Sequence, residues 1–138
     1  MEEYDSGRIP EILRSFRKVA VVGISEKPDR DSYRVSKYLM EHGYTIYPVN
    51  PALKEWNGLR AYPDLKSIPR GEGIEIIDIF RKSEAVPDIV KESVGLAPRV
   101  IWMQEGVVSG EGARLAKSHG MMVVMDHCIM KERARIRD

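Results

Sequence analysis

Cysteine is nearly missing from this chain. Cys128 is the one thiol in 138 residues, which excludes an internal disulfide framework and fits a reducing compartment. Long apolar runs are missing too: no stretch approaches the roughly 20 residues that a membrane-spanning helix requires. The opening MEEYDSG is acidic, unlike the basic start of a signal peptide, and a cytoplasmic protein is expected. Charge of one sign is equally scarce, since 22 Lys and Arg stand against 21 Asp and Glu for a net of +1. Nothing in that balance asks for nucleic acid or an anionic membrane as a partner, so any cationic site has to be local. No internal repeat or low-complexity segment occurs. The length suits one hydrophobic core, and residues 1–138 are expected to form a single domain.

Several signatures of chemistry are absent as well. No G-x-x-x-x-G-K-[ST] occurs, which removes the P-loop nucleotide hydrolases. His42, His119 and His127 show no spacing with one another or with Cys128 that resembles a structural zinc site. No Ser-His-Asp arrangement and no glycosidase-like carboxylate pair can be placed in a site.

What is present is a regular alternation of strand and helix signals. Val19 to Val22 is a short apolar run rich in β-branched residues that ends at Gly23, as a strand covered on both faces should. Similar runs follow at Tyr44–Val49, Ile74–Phe80, Val100–Met103 and Met121–Met125. Helical spacing occupies Ile9–Phe16, Tyr33–His42, Ser83–Val94 and Glu111–His119, with Gly43 and Gly120 as stops and Asp31, Ser32 and Ser83 as cap candidates. Ala52–Leu65 reads as irregular, with room for a small edge strand near Arg60–Tyr62. The pattern predicts an α/β fold of about five parallel strands, with right-handed crossovers placing helices on both faces.

In such a sheet a ligand binds outside the carboxyl ends of the strands, where the strand order reverses. The segments at those ends are Gly23–Arg30, Pro48–Pro51, Phe80–Lys82, Gln104–Val107 and Asp126–Cys128. The first is a small-residue turn running into a helix start, a geometry that favours anions because free N–H groups and the helix dipole converge there. Lys27 and Arg30 add positive charge. A dinucleotide fingerprint would want G-x-G-x-x-G, and here Ser25 stands where the second glycine should be. The second strand ends in Asn50 where NAD would seek a carboxylate. An adenine nucleotide with phosphates and a tail is the remaining class.

The segments VVGISEKPDRDSYRV, GYTIYPVNP, IDIFR, WMQEGV and MDHCI resemble those of the single-domain CoA-binding proteins, similar in turn to the N-terminal domain of the succinyl-CoA synthetase α subunit. The resemblance runs from about Val19 to Arg135. It implies a Rossmann-like, doubly wound sheet with coenzyme A lying across the strand ends. Gly23, Ile24 and Ser25 would line the turn, and Arg30 would meet phosphate. Asn50 and Pro51 would flank the nucleotide, Phe80 and Arg81 would bound the adenosine, and Gln104, Glu105 and Gly106 would approach the pantetheine arm. Cys128 would share that edge, within reach of a mixed disulfide with the CoA thiol if both sulfurs enter the crevice. The synthetase's phosphorylated histidine and second domain have no counterpart here, so the expected function is a non-catalytic CoA-binding module. The competing readings are an enzyme acting on acyl-CoA or a nicotinamide cofactor, and a structural adaptor without a ligand.

Overall fold

A computed structural model describes residues 4–137. Five parallel strands form the sheet: β1 (Lys18–Val22), β2 (Thr45–Val49), β5 (Ile76–Ile79), β6 (Val100–Met103) and β7 (Met122–Val124). Their order is β2-β1-β5-β6-β7. The chain therefore steps from β1 to one side and then returns to the other, so the order reverses between β1 and β5. The register pairs Val22 with Val49 on one side and Ile79 on the other, bringing three carboxyl ends level.

Alternation along the strands divides the core. Ala20, Ile77, Ile79 and Ile101 pack with α3 (Val86–Ser93) and α4 (Gly110–Ser118). Val19, Val21, Ile76 and Trp102 pack with α1 (Ile9–Ser15), α2 (Asp31–Glu41) and α5 (Ile129–Ala134) on the opposite face. Both faces are thus covered, as all-parallel strands require, and the expected doubly wound α/β fold is present. Among the described residues, no helix is long and apolar enough to cross a membrane.

Four local features differ from expectation. The segment after β2 holds a hairpin, β3 (Glu55–Trp56) and β4 (Leu59–Arg60), and Tyr62 alone bridges to the edge of β2 at Val49. Asn57 and Gly58 at its tip both have positive φ, 49° and 80°, the conformation a two-residue hairpin turn demands. Helix α2 begins at Asp31 with Arg30 in the cap position and no side-chain cap. The carboxylate of Asp31 turns instead to Arg34, one turn along the same helix. Ser83 starts a 3-10 turn rather than capping α3, and its hydroxyl accepts from the Val108 amide 2.9 Å away. The short α5 was not expected at all.

Candidate functional site

The reversal point is built around Gly23. Its φ is +88°, and a Cβ there would lie 2.4 Å from the Phe80 carbonyl oxygen and 2.9 Å from Arg81 Cδ. Only glycine lets the end of β1 pass this close to the end of β5. The Gly23 amide donates to Val49 O at 3.0 Å, and the Phe80 amide to Val22 O at 2.9 Å, so the turn is tied to both neighbours.

Two further residues hold the turn through its carbonyls. Asn50 Nδ2 donates to Ile24 O at 2.7 Å, while its Oδ1 accepts from the Ala52 amide at 2.7 Å. The Trp56 indole N–H donates to Ser25 O at 2.8 Å from a side chain only 2% exposed. A hollow opens beside the turn. That hollow, of about 370 Å³, is lined by Gly23, Ser25, Lys27, Arg30, Asp31, Ser32 and Phe80. The first turn of α2 opens onto it without a side-chain cap; the Tyr33 amide donates to Arg30 O at 3.1 Å, which leaves the Asp31 and Ser32 amides to an anion.

A second, larger cleft of about 740 Å³ adjoins the first, sharing Phe80 and Asp31. Val35, Val107 and Met130 supply apolar wall, and Arg81, Lys82, Gln104, Glu105 and Cys128 supply polar groups. The cations here are not equivalent. Arg34 is paired with Asp31, and Lys131 is held by Glu105 at 3.1 Å, a hydrogen bond that raises the Lys131 pKa above its ordinary value. Lys27, Arg30, Arg81 and Lys82 have no ion-pair partner among the described residues. Other surface lysines and arginines are equally unpaired; what distinguishes these four is that they converge on the strand ends.

The expected site residues separate into three groups. Gly23, Ser25, Lys27, Arg30 and Phe80 meet in the smaller hollow, and Phe80, Arg81, Gln104, Glu105 and Cys128 meet in the larger cleft. Ile24 and Asn50 lie behind the turn, Ile24 with its side chain wholly in the core and Asn50 with its amide committed to backbone. Pro51 and Gly106 line neither hollow. Gly106, at φ +82°, is instead held by its amide donating to Asp126 Oδ1 at 2.7 Å, which ties the loop after β6 to the loop after β7. Cys128 is 7% exposed and stands immediately before α5, so it is a wall residue with a small accessible surface.

Four contributors escaped the sequence reading. Trp56 could have been found from Asn57-Gly58, a strong hairpin signal that would have folded the tryptophan back toward the turn. Met130 and Lys131 depend on α5, too short to announce itself by periodicity. Asp78, a lone carboxyl in the apolar run of β5, is completely buried and accepts from Gln104 Nε2 at 2.5 Å. Burial pushes its pKa up from 3.8 to about 7, against the opposing pull of the Gln104 bond.

With this geometry in view, comparison with known proteins decides the family: residues 17–134 match the CoA binding domain. The chain belongs to the CoA-binding domain family. It is 40% identical to the uncharacterised Bacillus subtilis protein YneT over 94% of both chains. It is 36% identical to a hypothetical protein from Pyrococcus horikoshii whose solved structure superposes with a TM-score of 0.90 over 98% of this chain and 96% of that one. It is also 31% identical to the α subunit of an ADP-forming acetate–CoA ligase of Pyrococcus furiosus, covering 82% of this chain but 27% of the subunit. The chain therefore spans about a quarter of that ligase subunit and nearly the whole of YneT.

Proposed function

We propose that this family member binds coenzyme A across the carboxyl ends of β1, β5 and β6, as a binding module without turnover. The observation that carries the reading is the junction at Phe80 and Asp31 between an anion-favouring hollow and a longer cleft of mixed lining. Coenzyme A has the matching shape and chemistry: phosphates at one end and a flexible, amide-bearing arm ending in a thiol at the other. Its phosphates would meet the amides of Ser25 and the start of α2, with Lys27 and Arg30 beside them. Phe80 and Arg81 would bound the nucleotide, and Asn50 and Pro51 would act from behind the turn. The arm would run past Gln104 and Glu105, with Gly106 shaping the loop, toward Cys128. The domain family and the resemblance to the acetate–CoA ligase α subunit of Pyrococcus furiosus support the same ligand. The end of β2 favours CoA over NAD, because Asn50 offers no carboxylate for a ribose and its amide is already committed.

The test is ligand-dependent thermal stability. A ligand present at about 100 times its dissociation constant adds roughly 2.7 kcal/mol, several degrees in Tm for a domain of this size. CoA is expected to raise Tm more than NAD, NADP or ATP at equal concentration. Equal or greater stabilisation by NAD would overturn the assignment.

A further inference from the structure

Asp78 is the only fully buried carboxyl group among the described residues, and the proposed function leaves it unused. It lies in the middle of β5, between Val21 of β1 and Trp102 of β6. Its Oδ1 accepts from Gln104 Nε2, and its Oδ2 has no hydrogen-bond partner. Gln104 follows Trp102 by two residues, so it faces the same side of the sheet, where it is 4% exposed and lines the larger cleft.

An ionised carboxylate can only accept hydrogen bonds, so it requires the NH2 end of the Gln104 amide. The other end, Oε1, has no hydrogen-bond partner among the described residues and is not sealed off from the cleft. We propose that Asp78 is a positioning residue: it turns the Gln104 amide so that an acceptor faces the cleft, and so selects a ligand arm that presents an N–H or O–H donor there. The inference rests on the CoA reading and deepens it, since the pantetheine arm carries two secondary amides and a hydroxyl.

The arrangement can invert. Once protonated, Asp78 donates its own O–H to Gln104 Oε1, and the amide turns over to give the cleft a donor instead. Burial raises the Asp78 pKa to about 7, with the Gln104 bond opposing. No charged group offsets that burial. On this face of the sheet α2 brings Asp31 and Arg34, α5 brings Lys131 and the buried Arg133 with Cys128 just before it, and the loops after β5 and β6 bring Arg81, Lys82 and Glu105. None of these hydrogen-bonds or ion-pairs with Asp78, and none contributes to its shift.

The experiment compares CoA with adenosine 3′-phosphate 5′-diphosphate, which lacks the arm, by titration calorimetry on the parent and on Asp78→Asn. Using one ligand on two proteins at each pH cancels titration of the ligand's own phosphates. The affinity of the parent for CoA relative to Asp78→Asn should fall about three- to tenfold between about pH 8.5 and about pH 5.5, the effect of one lost hydrogen bond. The armless nucleotide should show no such change. A second measurement needs no variant: the 13C signal of the Asp78 carboxyl in the parent should titrate lower with CoA bound and stay unmoved with the armless nucleotide. A pH-independent CoA ratio, or the same shift with both ligands, would overturn the positioning role while leaving CoA binding intact. Failure of both ligands to bind at any pH would overturn the CoA reading and this inference with it.

Discussion

Replacing Gly23 with alanine tests the geometry of the reversal point. Alanine at φ +88° sits in the left-handed region, which costs about 1–2 kcal/mol for a residue with a Cβ. The added Cβ would also lie 2.4 Å from the Phe80 carbonyl oxygen, against an ordinary contact beyond 3.4 Å. That oxygen belongs to backbone, and the Phe80 amide is bonded to Val22, so neither strand yields without loosening the ladder. Overpacking of this kind adds about 1–3 kcal/mol. Gly23→Ala should therefore destabilise the domain by roughly 2–5 kcal/mol, read as a lowered urea midpoint at unchanged m-value. Gly71→Ala is the control, because its added Cβ meets nothing within 4 Å and its φ is not positive. Relief of unfolded-chain entropy should make it neutral or stabilising by up to about 1 kcal/mol. A Gly23→Ala midpoint equal to the parent's would refute the close-approach argument.

Asp78→Asn should stabilise the fold in a pH-dependent way. The folded pKa of about 7 lies above the unfolded 3.8, so the folded state keeps a proton that the unfolded chain has released. Parent stability then falls as pH rises from about 4 through 7, and urea melts should show the variant gaining roughly 3 kcal/mol on the parent between about pH 5 and about pH 8. A constant difference across that window would mean Asp78 titrates normally. Trp56→Phe keeps an aromatic ring but removes the donor to Ser25 O and the second ring of a buried indole; the lost bond costs about 1 kcal/mol and the vacated space adds to it, amide exchange in the turn should speed up, and unchanged exchange at Lys27 would show the turn holds without it. Arg30→Ala should weaken CoA by the equivalent of one charge-assisted bond, about 1.5–3 kcal/mol, and more than Lys27→Ala does. Calorimetry showing undiminished affinity would move the phosphate toward Arg81, which is unpaired, in preference to Arg34, which Asp31 already holds.

The strands were legible because each is a short, mostly apolar run containing Val or Ile and bounded by glycine or by polar residues, and burial on both faces erases any competing alternation. Their order was not, since the connections after β1 and β2 suit either side of the sheet and tertiary packing makes the choice. The cationic turn could be read from Gly23, Lys27 and Arg30 themselves. What holds that turn could not, because Asn50 and Trp56 reach it from 26 and 31 residues away. The Asn50 side chain bonds the Ile24 carbonyl and the Ala52 amide, a side-chain direction that spacing does not encode. Asp31 and Ser83 looked like helix caps; nearby partners, Arg34 and the Val108 amide, take their side chains elsewhere. Asp78 was overlooked for a similar reason: one carboxyl in IEIIDIF leaves the apolar pattern intact, and its significance comes from Gln104 across the strand pair.

Whether one ligand bridges the two hollows that meet at Phe80 is decided by a crystal structure of the protein grown with CoA. Continuous density is expected, with the phosphates against the Ser25 amide and the start of α2 beside Arg30, and the arm passing Gln104 toward Cys128. Density in the separate hollow bounded by Lys66, Lys91 and Glu92, with the Gly23–Arg30 turn empty, would contradict it.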